Sequence, residues 1–428
     1  MIKRIIFYIL IFTCLLVNFN TVYATPAILS ESAVLIDASS GTILAQKSAD
    51  KKMYPASLTK IMTAILAIES GELTDVITVD DDTPFEIEGS HIALEPGEIL
   101  TLKDLLYALM LPSANDAASV IAKHYGGSLE SFVKMMNQKA KELGAYNTNF
   151  TNPHGLHDTN HYSTAADLAL ITKYAMENDT FRKIVSTTKY EIQTTNKKDE
   201  PRYFTSLNKL IYNTSYNQIY VDGAYISPYY EYATGAKTGY TPQAGNCLVA
   251  TAKKDGTELI AVTMKGISLE MYQDAHNLFN YGFGEYESTT LVGKNTFIRN
   301  IKIPNGDSKE ISLITESDLT ALIKKDTLDD IKSNVYINDI TLPIEKNSVI
   351  GKIEYTLDNK VIGAVNLISP ISVKSTAQEG QGNILLSIVK FIGFLILFAA
   401  VSILLLKIYN DIRIRINRKK RRSRYNNY

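Results

Sequence analysis

Residues 384–406 read ILLSIVKFIGFLILFAAVSILLL, an apolar run long enough to cross a bilayer as one helix. Lys390 is its only charge and lies close enough to one end to snorkel. Residues 407–428, KIYNDIRIRINRKKRRSRYNNY, are basic except for Asp411. A buried core helix would not be followed directly by so dense a basic cluster. The pattern predicts one transmembrane helix at 384–406 and a cytoplasmic tail at 407–428, so that everything before residue 384 lies outside the membrane.

The other end fits that topology. Lys3 and Arg4 precede an apolar run over residues 5–17, and small residues end it at Ala24. This predicts a signal peptide over 1–24; the run is shorter than the roughly 20 residues an anchor helix needs. The whole chain has a formal net charge of −1. With Lys3, Arg4, Lys390 and the basic tail set aside, the exported part is acidic, which argues against nucleic acid as a partner. The tail is read instead as contacting anionic lipid. Cys14 leaves with the signal peptide, so Cys247 remains alone and no intramolecular disulfide is expected.

Composition divides the exported part near residue 286. Residues 25–285 alternate strand-like and helix-like stretches, which predicts a mixed α/β domain. AVLIDASSGTILAQ (33–46) and NCLVATAKKDGTELIAVTMKG (246–266) read as hairpins, the second turning at Asp255-Gly256. SLTKIMTAILAIESG, just after Pro55, reads as a helix with an apolar stripe closed by Gly71. Residues 101–127 read as two helices broken at Pro112. Residues 286–375 are short β-branched runs between turns, a small β-rich domain, and 376–383 is a polar linker.

Chemistry enters at YPASLTK. Ser57 and Lys60 stand three apart, which on a helix puts both on one face. The spacing alone decides nothing, because Ser48/Lys51, Ser131/Lys134, Ser186/Lys189, Ser206/Lys209 and Ser387/Lys390 share it. Context separates them. A serine opening a helix has unpaired backbone N–H groups and a favourable dipole beside it, and a lysine one turn on can take its proton. PSAND then gives Ser113-x-Asn115 after an apolar helix, and GAKTGYT gives the chain's single Lys237-Thr238-Gly239. In that order the three are far more specific than any one of them.

The ordered set resembles the penicillin-recognising serine enzymes. Within them, SAVLIDASSGTILAQKSADKKMYPASLTKIMTA, LMLPSANDAA, TNPHGLHDTNHYSTAADLALI and GAKTGYTPQAGNCLVATA look like the low-molecular-mass D-alanyl-D-alanine carboxypeptidases of the S11 peptidase family. LPIEKNSVIGKIEYTLDNKVIGAVNLISP extends the likeness into the second domain. The resemblance implies a transpeptidase/β-lactamase-like catalytic domain that trims peptidoglycan stem peptides and is inhibited by β-lactams. It also implies roles. Ser57 is the nucleophile and Lys60, neutral in part of the molecules, its base; Ser113 relays the proton. Asn115 orients Lys60 and the substrate amide, and Lys237 with Thr238 holds the terminal carboxylate. Gly239 lets the substrate lie on the strand, and the N–H groups of Ser57 and Tyr240 form the oxyanion hole. No metal and no cofactor is expected; His154, His157 and His161 fall in a Gly/Asn/Asp-rich stretch read as a structural loop.

Two departures stand out. Ala114 replaces a common Gly, and the Tyr-rich segment 212–237 is longer than the family pattern leads one to expect, a surface loop or a cleft wall. The rival readings are a serine β-lactamase, a D,D-transpeptidase and a non-enzymatic penicillin or muropeptide sensor. No Glu motif between Asn115 and Lys237 suits β-lactamase deacylation, and the short tail has no recognisable signalling domain.

Overall fold

Strand β1 (Ser32–Asp37) is buried along its whole length. A strand covered on both faces needs apolar side chains on both, and the two-residue period supplies them. Val34 and Ile36 enter one hydrophobic core, Ala33 and Leu35 another. The structure is a computed structural model that describes residues 26–425 apart from Ile87 and Ser215, without the side chains of 377–385 and 421–425. The expected signal peptide, including Cys14, lies outside the described residues.

Around β1 the chain builds an antiparallel five-stranded sheet. Strands β2 (Ile43–Lys47), β3 (Ala233–Thr241), β4 (Gly245–Lys254) and β5 (Thr257–Gly266) complete it, in the spatial order β2-β1-β5-β4-β3. Both expected hairpins are present. The second turns at Asp255 (φ 48°) and Gly256 (φ 84°), the pair of left-handed residues a tight hairpin turn asks for. Strand β3 sits at the sheet edge, paired on one side only.

Helices cover both faces. Helix α1 (Lys60–Ser70), α2 (Leu102–Met110) and α3 (Asn115–Gly126) pack in the first core, where Ile61, Leu105 and Ile121 are fully buried. Helix α4 (Glu270–Glu285) closes the other core with Leu278 and Phe279. The break after α2 falls around Pro112, as its missing N–H requires. Thr101 and Asp104 form a reciprocal capping box at the start of α2.

The chain forms two units. The first holds the described residues up to Thr289 together with Thr320–Ile331; the second holds Thr290–Leu319 and the chain from Lys332. In the second unit, Phe297–Lys302, Glu310–Thr315, Lys360–Ile368, Val349–Leu357 and Lys332–Ile337 form an antiparallel sheet in that order. Its core is aliphatic, with Leu313, Leu367 and Val373 fully buried. Helix α5 (Ala377–Tyr425) follows. It takes in 377–383, which composition reads as linker: Ala and Gln extend a helix readily, and an apolar helix directly downstream gives it something to propagate from. Within α5, Leu386–Lys420 is long and apolar enough to cross a membrane, with a mean hydropathy of 2.7 in its most apolar window.

Candidate active site

Ser57 lies in a 3-10 turn, Ala56–Thr59, that leads into α1. The α-helix itself starts at Lys60, three residues later than the sequence suggests. Pro55 and the left-handed Ala56 (φ 48°) set the chain's direction here, and the tight turn presents Ser57 at the surface of a cleft. Lys60 points inward and is 0% exposed.

The Lys60 Nζ has three neighbours: Ser57 Oγ at 3.0 Å, Asn115 Oδ1 at 2.7 Å and the His154 carbonyl at 2.7 Å. Asn115 is held in turn. Its Nδ2 donates to the Glu88 carbonyl at 2.7 Å, and its backbone N–H to the Ser90 carbonyl at 2.7 Å. Burial pushes the Lys60 pKa well below the usual lysine range, and the nearby Lys237 cation pushes it further; Asp116 opposes them. A neutral amine has two N–H donors and one lone pair. Asn115 Oδ1 and the His154 carbonyl can only accept, so they take both N–H groups. In the neutral form this leaves the lone pair for the Ser57 hydroxyl, the arrangement a general base needs.

In three of the other Ser-x-x-Lys pairs the lysine is engaged elsewhere. Lys51 pairs with Glu31, Lys134 with Glu130, and Lys209 with Asn217.

Ser113 also lines the cleft. It adopts φ 67°, uncommon for a residue with a side chain, and its buried Oγ has no hydrogen-bond partner among the described residues. Thr238, Gly239 and Tyr240 of β3 also line this cavity of about 400 Å³, with Lys209, Ser90 and Tyr272. Lys237 does not line it. Lys237 is 1% exposed, its Nζ donates to the Thr238 carbonyl at 2.9 Å, and burial brings its pKa down to about 7.

Two glycines fix the turn that carries Ser57. A Cβ at Gly155, which has φ +87°, would stand 1.9 Å from the Ala56 carbonyl oxygen. A Cβ at Gly239 would stand 3.0 Å from Ser57 N and 3.1 Å from Pro55 O. Glycine at 239 therefore serves the seating of the Ser57 backbone.

The histidine stretch frames the base. The Thr151 N–H donates to His161 Nδ1 at 3.0 Å, so Nε2 carries the proton and donates to Thr59 Oγ1 at 2.8 Å. Thr63 Oγ1 donates to the Pro153 carbonyl at 2.6 Å. These contacts pin the loop so that the His154 carbonyl meets Lys60. Burial lowers the His154 pKa to about 3 and that of His161 to about 4, so both rings are neutral at physiological pH. Asp116, behind Asn115, accepts from the N–H groups of Ile92, Leu94 and Ala117 and so holds the loop that carries Ser90. Sequence reading missed His154, Glu88 and Ser90, since each acts on this network through a backbone carbonyl, and also Lys209.

The Tyr-rich segment is a packed hairpin. Ile219–Val221 pairs with Ala224–Ile226 across Asp222-Gly223, and Ile219 and Val221 are buried in the core shared with α4. Tyr230 packs on His276 and Phe279. None of residues 212–237 is among those lining the cleft.

Comparison with known proteins agrees with this architecture. The D-alanyl-D-alanine carboxypeptidase model of Peptidase_S11 matches residues 19–268, and the penicillin-binding protein 5 C-terminal domain model matches residues 286–375. The D-alanyl-D-alanine carboxypeptidase DacF of Bacillus subtilis is 33% identical, over 82% of this chain and 86% of that one. DacA of Escherichia coli is 32% identical, over 83% and 85%. Penicillin binding protein 5 from Haemophilus influenzae superposes with a TM-score of 0.67 at 30% identity, covering 82% of this chain and 99% of that one. A mixed α/β unit with this lysine-centred cleft, these matched segments and the following β-rich unit lead to one assignment: the chain belongs to the S11 family of serine D-alanyl-D-alanine carboxypeptidases, penicillin-binding enzymes that act on peptidoglycan peptides.

Proposed function

We propose that this enzyme removes the terminal D-alanine from peptidoglycan pentapeptide stems through an acyl-enzyme on Ser57. The supporting observation is the Lys60 amine, buried and within hydrogen-bond distance of Ser57 Oγ, Asn115 Oδ1 and the His154 carbonyl. Lys60 takes the Ser57 proton as Oγ attacks the carbonyl between the two D-alanines. The N–H groups of Ser57 and Tyr240 stabilise the oxyanion. Ser113, with its free hydroxyl, passes the proton to the leaving amine, the C–N bond breaks and D-alanine departs. Water, deprotonated by the same lysine, then attacks the ester and releases the shortened peptide. Thr238 and Lys209, both on the cleft wall, are the groups placed to receive the terminal carboxylate, with Lys237 adding positive charge from beneath. β-Lactams acylate the same serine.

The catalytic domain comprises 25–285 and the β-rich domain 286–375. By the positive-inside rule the basic tail supports a cytoplasmic 407–428 and a catalytic unit outside the cell membrane. The test is incubation of the purified enzyme with a peptide ending in Lys-D-Ala-D-Ala. Free D-alanine is expected, and Ser57→Ala abolishes both its release and labelling by penicillin. Labelling that persisted in the variant would sink the site. Rapid penicillin turnover would mark a β-lactamase, and stable labelling without release a sensor.

A further inference from the structure

The segment YNTSYNQIYVDGAYISPY (212–229) has five tyrosines, two asparagines and a glutamine, but a single charge. That charge, Asp222, accepts from Asn280 at 3.3 Å. In the hairpin, Ile219 and Val221 point inward, so the pleat turns Tyr220 outward. Tyr220 stands directly opposite Tyr225, with ring centroids 5.2 Å apart. Tyr220 is 48% exposed, Tyr225 71% and Tyr216 96%. Cross-strand stacking accounts for the pairing, but does not require so much ring surface in water. The segment also touches the cleft wall: Lys209, which lines the cleft, donates to Asn217 at 2.8 Å, and Asn217 adjoins Tyr216 in the chain.

We propose that this hairpin is a docking surface for the glycan strand of peptidoglycan, the polymer that carries the stem peptide. The proposal rests on the function proposed above. Its chemistry selects a neutral, polyhydroxylated ligand. Tyrosine offers a flat apolar face for the C–H face of a sugar ring and a hydroxyl at its rim, at little entropic cost. Asn213, Asn217 and Gln218 supply amides for hydroxyl and acetamido groups. A nucleic acid or anionic lipid would call for lysines and arginines, and none occurs in the segment.

The experiment uses the full chain in detergent and two insoluble probes, whole sacculi and glycan stripped of its stem peptides by an amidase, with the freed lactyl carboxylates then amidated so that the strand stays neutral. Wild type is expected to co-sediment with both, and soluble N-acetylglucosamine oligomers to compete. Tyr220→Thr/Tyr225→Thr keeps strand-forming residues and removes the rings. It is expected to weaken sedimentation about fivefold, while D-alanine release from a soluble pentapeptide changes by less than twofold. Tyr220→Phe/Tyr225→Phe is expected to retain most of the binding. Undiminished sedimentation of the Thr variant, or binding of wild type to whole sacculi but not to stripped glycan, overturns the proposal. So does recovery of wild type on anionic vesicles in place of glycan. Loss of the catalytic reading shows separately, as absent D-alanine release from wild type.

Discussion

Lys60, Lys237, Asp116 and Glu98 are each at most 2% exposed in the first unit, whereas Thr315 and Ser369 are the polar side chains buried in the second among the described residues. The second unit holds together as small β sheets do, by aliphatic burial. The first buries ionisable groups that cost desolvation energy, and it surrounds them with carbonyls, amides and glycines that fix their positions. The difference separates a unit shaped for stability from one that gives up stability for chemistry.

The comparison can be broken most forcefully at Lys60. Lys60→Met is expected to slow penicillin acylation roughly 10²–10⁴-fold without lowering the melting temperature; loss of folding would show the amine to be structural. In the second unit, Leu367→Ala is expected to cost about 2–5 kcal/mol in denaturant unfolding and to leave the acylation rate at Ser57 unchanged. A parallel fall in acylation would mean that the division between the units is not functional.

Lys237→Met sharpens the contrast in two ways. The folded pKa of about 7 lies below the lysine reference of 10.5, so the unfolded chain binds more protons. The penalty is complete below about pH 7 and fades as pH rises toward 10.5. The variant is therefore expected to be more stable by about 1–2 kcal/mol at neutral pH, with the gain vanishing in alkali. Removing the cation also lets the Lys60 pKa rise, so the acid limb of the acylation profile moves to higher pH. The smallest effect is expected at Thr101→Ala, which removes a capping box for about 1 kcal/mol of stability and leaves kcat unchanged.

Much of the first unit was legible because its signals are local. The Asp255-Gly256 turn between alternating runs gave the β4–β5 hairpin, and Pro112 gave the break between α2 and α3. Ser57, Lys60, Ser113, Asn115 and the β3 motif each carry a distinctive side chain, so the sequence could nominate them, and the fold gathers them around one cleft and the buried pocket behind it. The carbonyls of His154, Glu88 and Ser90 carry no such mark; any residue type has one, and its position depends on a loop pinned by His161 and Asp116. Lys237 shows a further limit. Its motif was visible, yet its burial beneath the wall depends on strand facing. The return of Thr320–Ile331 to the first unit was equally hidden, since its composition matches its surroundings.

Strand β3 ends the sheet, paired with β4 alone. An open rim of this kind invites another polypeptide to add, and in most proteins it is a seed for aggregation. Here an inward-facing ammonium, Lys237, sits midway along that rim. A second strand added there would lie against a buried amine that it cannot neutralise. Lys237 thus bears both on the pKa of Lys60 and on the cost of adding a strand to that edge.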